Sequence, residues 1–599
     1  MLTKLGLLLG VCGLSALAAA AGPQVDVGYA IYEGRHNATS RLNIFKGIRY
    51  AAPPTEKRRW QPPVEPAKNR TAVLPAFEYA YHCPWTSTAP FTGNNFTKPP
   101  LDKEQIEKNP FFRSVIRGNE DCLFLNVFAP ANAKNLPVLV WIHGGGYGIA
   151  SSDMDLSHII NANNDGFIAV SIEYRLGAFG WLASKDIKRF GALNAGLLDQ
   201  RFALEWIQSH IHRFGGDPKR VTISGTSAGG GSVMFHGISD RDSLFQQGIS
   251  ASPYMPRHYD YDDPEPTGIY NAFATLAGCP PGSNKTYSDS AVFDCLVKTD
   301  STILQQANAV VGASGLYGTW SFLPVTDGKL IKKAPSRSLL EGKFSGKSLF
   351  VGNTAEEAPA YVPKNVTTQQ DFDRYIRTNF PRFTDSDVAS ILQLYPSSSD
   401  PVNPNDPLFA TLGDRGLTAL NQSAYATGQQ QRAYNLYAEF TFVCPTYWLS
   451  DAYNRQNKPV YKYQFSIPPA YHYADVPAHF GPFGAQPNLS RDFQLELMRL
   501  WGNYIIRGDP SDSGRNSRPS QNLVSTWPPY KPSNPVMLNL NTTGGTPGVV
   551  RDPFTRLMLR AMVEPGLKND IKVVNSDTWE GGRRKRCDAI RKFSEKVPY

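Results

Sequence analysis

Apolar residues along this chain fall into two kinds of pattern. Some form short unbroken blocks. Pro137-Val138-Leu139-Val140-Trp141-Ile142 is one and Phe167-Ile168-Ala169-Val170-Ser171-Ile172 another. A block without polar alternation suits a strand covered on both faces. Others recur at helical spacing. Leu197, Leu198, Phe202, Leu204, Trp206, Ile207 and Ile211 mark a helix over Leu197–Phe214, which Gly215-Gly216-Asp217-Pro218 stops. The β-branched run Val221-Thr222-Ile223-Ser224 follows as a further strand. Later strands are expected at Ser348-Leu349-Phe350-Val351 and over Val460–Phe465, and Asp509–Pro535, rich in Ser, Pro, Asn and Arg, reads as a surface excursion. Strands alternating with helices predict an α/β protein, a mostly parallel central sheet with helices on both faces. No linker divides the chain, so residues 21–599 read as one domain.

The first residues depart from this pattern. Lys4 precedes an apolar core, Leu5–Leu17, and Ala18-Ala19-Ala20-Ala21 offers small residues for cleavage, which reads as a secretory signal over residues 1–20. The run is short of the ~20 apolar residues that a membrane span needs. Phe593–Tyr599 lacks the apolar tail of a lipid-anchor signal. The expectation is a secreted, extracellular protein without a stable membrane anchor. Cysteine usage agrees. Cys12 leaves with the signal, and Cys83, Cys122, Cys279, Cys295, Cys444 and Cys587 remain, an even set that suggests disulfides in one of fifteen pairings. Sequons begin at Asn37, Asn69, Asn95, Asn284, Asn365, Asn421, Asn488 and Asn541, each a candidate N-glycosylation site.

Composition narrows the class further. Hydrophobic residues make up 41% of the 599 and charged residues 19%, a balance that excludes a disordered chain. The net charge is +9, and Arg583-Arg584-Lys585-Arg586 is the dense basic run. It has no aromatic interleaving or nucleic-acid module beside it, so it reads as a solvated basic face and no nucleic-acid partner is expected.

Chemistry enters with Gly225-Thr226-Ser227-Ala228-Gly229. The strand before it and the small-residue stretch Gly230–Phe235 after it give the form of a nucleophile elbow, with Ser227 at the tip of a sharp turn. A tight turn has no room for Cβ atoms beside the strained residue, hence the flanking glycines. A serine hydroxyl needs a base, a carboxylate to orient that base, and donors for the oxyanion. His143-Gly144-Gly145-Gly146, directly after the Val138–Ile142 strand, offers backbone N–H groups for the last role, and the N–H of Ala228 completes the set. Of ten histidines, His472 and His479 follow the Val460–Phe465 strand, the chain position expected of the base, and spacing alone does not choose between them. His210 and His212 sit two apart on a helix and point in different directions, which argues against a metal pair. Glu356 and Glu357 follow the Leu349–Gly352 strand and are the candidate acids, although adjacent carboxylates on a loop are commonly solvated charge.

With these pieces in view the chain resembles the type-B carboxylesterase/lipase, or cholinesterase-like, family of the α/β-hydrolases, and secreted fungal members most of all. The resemblance is carried by Phe45–Ala51, Asn119–Val127, Trp141–Gly146, Glu173-Tyr174-Arg175-Leu176 and Phe214–Pro218, in that order. It implies the α/β-hydrolase fold with large insertions. It implies Ser227 as nucleophile and Gly145, Gly146 and Ala228 as oxyanion donors. The family's G-x-x-x-[DE]-E-G segment falls on Gly352–Ala358 and points to Glu357 as the acid. Its H-x-x-[DE]-x-x-x-x-F segment fits His472, Asp475 and Phe480, which leaves His479 on a non-catalytic position. The disulfides it implies are Cys83–Cys122, Cys279–Cys295 and Cys444–Cys587. Thr226, Ala358 and Tyr473 depart from the family's usual glutamate, glycine and glycine, and Phe111 and Phe112 occupy the region where choline-binding members carry a tryptophan. Loss of that ring and of the glutamate weakens a cationic choline site. The expectation is a secreted serine carboxylic-ester hydrolase on neutral small-molecule esters, working through an acyl-enzyme with no cofactor and no metal. The nearer alternative is a lipase whose lid lies in the 83–122 loop around Phe91, Phe96, Leu101, Phe111 and Phe112. The more distant one is a non-catalytic adhesion or binding relative.

Overall fold

The computed structural model describes residues 22–597 except 89–115, 240–243, 282–289, 342–343, 398–412, 414–419, 421, 512–525 and 595. The signal segment, the lid residues Phe91–Phe112 and the sequon asparagines Asn95, Asn284 and Asn421 lie outside the described residues.

The strands in chain order are β1 (Gln24–Asp26), β2 (Ala30–Glu33), β3 (Arg35–Asn37), β4 (Leu42–Arg49), β5 (Asn69–Pro75), β6 (Phe124–Pro130), β7 (Leu136–Ile142) and β8 (Ile168–Ile172). They continue with β9 (Gly216–Thr226), β10 (Gln247–Ala251), β11 (Ser348–Thr354), β12 (Val460–Phe465), β13 (Val536–Arg551) and β14 (Met558–Asn575). A small sheet has the order β1-β2-β5. The 11-stranded sheet runs β14-β13-β12-β11-β10-β9-β7-β8-β6-β4-β3. Its centre, from β8 through β13, is parallel, and β14 on one side and β6, β4 and β3 on the other pair antiparallel. The fold is that of the α/β-hydrolases.

The unbroken apolar blocks are the central strands, and the burial explains them. Val138, Val140 and Ile142 belong to one apolar cluster while Leu139 and Trp141 belong to another, on the opposite face of the sheet. The long amphipathic pattern becomes a helix over Ala195–His210 and a 3₁₀ turn over Ile211–Phe214. Gly215 takes a left-handed φ of 86°, and the chain re-enters the sheet at once. The described part of Asp509–Pro535 lies largely at the surface, as expected, but it is anchored by aromatic rings. Trp527 and Tyr530 are buried, and Trp527 meets Phe350 and Tyr461 edge-on at 5.3 and 5.7 Å.

The parallel register sets the site. Ile142 pairs with Gly225, Thr226 with Ala251, Ala251 with Gly352, and Gly352 with Tyr463. The carboxyl ends of β7, β9, β10, β11 and β12 therefore finish at one level. That rim is where open parallel sheets place their ligands. Disulfides join Cys83 to Cys122, Cys279 to Cys295 and Cys444 to Cys587. Of the described sequons, Asn37 and Asn69 are exposed and Asn365 and Asn541 half-buried. Asn488 is a correction. It is buried and its Nδ2 donates to the Pro468 carbonyl at 2.8 Å, so no glycan fits on that nitrogen.

Candidate active site

Ser227 stands between β9 and the helix Ala228–Ile238 with φ 61° and ψ −124°. A non-glycine residue at positive φ is held there only when its surroundings leave no other choice. They do so here. Its N–H donates to Ala251 O at 3.0 Å, and its own carbonyl accepts from Gly231 N at 2.8 Å and Tyr254 N at 2.9 Å. The neighbouring backbone is closer than any side chain allows: a Cβ on Gly229 would lie 2.0 Å from the Ile142 carbonyl oxygen. Ser227 thus ends up 5% exposed at the carboxyl end of the sheet.

The loop after β7 lies across from it. Gly145 and Gly146 have φ of +94° and +62°. Among the described residues neither N–H donates to another backbone carbonyl, and Ala228 heads a helix, where the first N–H groups have no intrahelical partner. Trp320 packs flat on this loop, so that a Cβ on Gly146 would fall 1.9 Å from the indole Cε2. Below the loop His143 stacks on Tyr174 at 4.4 Å, and its Nε2 lies 3.8 Å from Glu173 Oε2. Burial drives both toward neutrality, His143 down to about 4 and Glu173 up to about 8. No net charge then sits beneath the glycines at neutral pH.

The acid and base arrive on β11 and β12. A parallel bridge pairs Glu356 with Tyr471, so the next residues, Glu357 and His472, come out side by side. Glu357 is fully buried, and its Oε2 bonds His472 Nδ1. Its Oε1 accepts from the Thr354 N–H and the Ser252 hydroxyl, each at 2.7 Å. Three contacts on one carboxylate fix the imidazole with Nδ1 toward the acid. His472 Nε2 is buried and has no hydrogen-bond partner among the described residues. Phe442 packs on the His472 ring at 4.3 Å and Tyr361 meets it edge-on at 5.6 Å. Phe442 comes from a π-helical turn, Glu439–Val443, the kind of helical defect that often accompanies functional sites.

The geometry separates the alternatives left open by spacing. His479 is a core residue. It stacks on Trp501 at 3.9 Å, lies 3.9 Å from Asp475, and burial holds it well below the ordinary histidine range. Asp475 takes the Tyr463 hydroxyl at 3.0 Å, and its own burial pushes it up to about 7. Glu356 is buried as well, held well above the ordinary carboxylate range, and faces away from His472 toward the Gln431 and Arg583 side. Neither glutamate is solvated loop charge. The basic run is also corrected: Arg583 and Arg586 are buried, three apart on the helix Trp579–Arg591, and both reach Glu439. Arg583 Nη2 also donates to the Ala355 carbonyl at 3.1 Å, two residues before Glu357.

Sequence reasoning missed Ser252, Phe442 and Trp320. Ser252 had a usable signal, since it directly follows the central strand Gln247–Ala251. For a cation, the described residues that come together are His82, Asp153 and Glu173, with ligating atoms within 4.8 Å of one another. His82 and Asp153 already pair at 3.5 Å and Glu173 Oε1 already takes the Ser152 N–H, so nothing in this cluster requires an ion.

Fold and rim together define an α/β-hydrolase with serine, carboxylate and imidazole groups at the ends of neighbouring strands. Residues 21–553 match the carboxylesterase family. The chain belongs to that family and is a carboxylic ester hydrolase. It is 33% identical over 532 residues to carboxylesterase patB of Aspergillus clavatus, covering 82% of this chain and 88% of that protein. It is 33% identical over 388 residues to the acetylcholinesterase of Electrophorus electricus, covering 61% and 57%. The crystal structure of Aspergillus niger EstA superposes with a TM-score of 0.71 at 26% identity, over 97% of this chain and 99% of that one.

Proposed function

We propose that the protein is a secreted serine hydrolase of small-molecule carboxylic esters lacking a cationic head group. His472 Nε2 takes the proton of Ser227 Oγ as the oxygen attacks the ester carbonyl. Glu357 holds the imidazole and stabilises its cation. The N–H groups of Gly145, Gly146 and Ala228 receive the oxyanion. His472 returns the proton to the departing alcohol, and the same base then draws a proton from the water that releases the acid.

The observation that carries this reading is the three-point hold on Glu357, with His472 Nε2 left unpartnered. It prepares an imidazole in the tautomer that accepts a proton. The absent choline-type residues support the restriction on charge. One sheet drawing strands from Arg35 through Asn575 supports a single catalytic domain over residues 21–599. Secretion is supported by the leader-like first residues, the three disulfides and the exposed acceptors Asn37 and Asn69. No described helix is long and apolar enough to cross a membrane.

The test is Ser227→Ala, with 4-nitrophenyl acetate as substrate and circular dichroism as the check on folding. We expect kcat/KM to fall by roughly 10⁴-fold or more. A folded variant that keeps even a tenth of the activity would sink the assignment.

A further inference from the structure

Two cavities adjoin the site and share a wall made by Arg257, Thr319, Trp320 and Leu323. The wall touches the candidate machinery on both sides. Trp320 packs on Gly146 of the oxyanion loop. Tyr254, on the first cavity, holds the Ser227 carbonyl through its N–H, and Tyr437 stacks at 5.7 Å on Tyr361, which meets His472. Arg257 thus lines both spaces, one layer of residues away from the candidate machinery.

Among the described residues Arg257 donates no hydrogen bond, and no carboxylate comes within ion-pair distance of it. It is half-buried near the phenols of Tyr254, Tyr259 and Tyr437, which burial holds above the ordinary phenol range against the smaller opposing pull of its charge. Glu265 is the one described carboxylate lining either cavity, and it is exposed and unpaired with Arg257. Three buried arginines differ from it in this. Arg59, Arg175 and Arg586 each hold a carboxylate at 2.8 Å or less. A guanidinium stays charged at any physiological pH, and losing water without gaining a partner is costly. Its planar fork matches a carboxylate with two parallel hydrogen bonds.

We propose that the ester substrate carries a carboxylate remote from the scissile bond, and that Arg257 binds it. This rests on ester hydrolysis at Ser227 and goes beyond the sequence expectation of neutral esters. Arg257 would select the substrate rather than assist bond cleavage, so its effect belongs in KM.

The experiment compares matched esters on the full-length enzyme. Mono-4-nitrophenyl adipate against 4-nitrophenyl hexanoate places the charge on the acyl arm. 3-Carboxyphenyl acetate against phenyl acetate places it on the alcohol arm. For at least one pair, Arg257→Gln should lower the charged-to-uncharged ratio of kcat/KM by about 10- to 100-fold, mainly through KM, and Arg257→Lys should fall between. The ratio is internally normalised, so partial loss of folded enzyme cancels. Unchanged ratios for both pairs overturn the carboxylate proposal while leaving esterase activity standing. Absence of Ser227-dependent hydrolysis for all four esters overturns the esterase reading itself.

Discussion

The two halves of the site are built by different physics. The nucleophile half is a matter of steric contact between backbone segments. Ser227 is held by the Ala251 carbonyl and by two N–H groups on its own carbonyl, and the glycines around it admit neighbouring strands at distances no Cβ survives. The pair His143 and Glu173 beneath the glycine loop is neutralised by burial. The acid–base half is a matter of buried charge. Glu357 and His472 are set by Ser252, by the Glu356–Tyr471 bridge and by Arg583 on the Ala355 carbonyl. Behind them Glu439 takes Arg586, Arg583 and the Tyr395 hydroxyl, with Cys444–Cys587 pinning the two helices together. Steric contact holds Ser227, and hydrogen bonds and ion pairs between residues distant in the chain hold Glu357 and His472.

The largest expected effect comes from breaking the contact half. Gly229→Ala would put a Cβ 2.0 Å from Ile142 O, a backbone atom in a central strand that has nowhere to move. Overpacking usually costs about 1–3 kcal/mol because side chains yield. Here they cannot, and we expect little folded enzyme and at least a hundredfold lower activity in what folds. Near-normal 4-nitrophenyl acetate hydrolysis by purified Gly229→Ala would show that sterics are not what shapes the elbow.

The charge half should break next. Glu439→Gln keeps the shape of a fully buried group but leaves Arg586 and Arg583 without their carboxylate. Removing one partner of a buried ion pair costs about 3–5 kcal/mol, because the other charge stays desolvated. Urea unfolding should register that loss. A change below about 1 kcal/mol would mean that the network is idle, and that the two halves are alike after all.

The difference between the halves also decided what could be read in advance. Gly225–Gly229 and His143–Gly146 are contiguous, and their steric requirement is written where it acts. The unbroken runs at β7 and β8 likewise follow from burial on both faces. The acid–base half carries no such local mark. Glu356 and Glu357 looked like solvated loop charge, and Arg583 and Arg586 like part of a solvated face. The two arginines are paired with Gln464 and Glu439, more than a hundred residues away in the chain. Asn488 misled for the same reason, since a sequon says nothing of what folds over it. The choice of His472 over His479 needed either the family resemblance or the Glu356–Tyr471 bridge.

The smallest effect tests how far the charge half reaches into chemistry. Ser252 touches neither substrate nor the reacting oxygen. Its hydroxyl donates to Glu357 Oε1 at 2.7 Å, on the side of the carboxylate turned away from His472. In Ser252→Ala the Thr354 N–H remains, so Glu357 keeps one of its two outer donors. Losing a hydrogen bond to a charged acceptor costs about 1.5–3 kcal/mol in full, and a shared role puts this case at the low end. We therefore expect kcat to fall about tenfold with KM little changed. A merely structural serine would lower the amount of active enzyme and leave turnover per site in place. Titration of active sites with a serine-reactive phosphonate, followed by kcat per active site, separates the two, and wild-type turnover would confine Ser252 to packing.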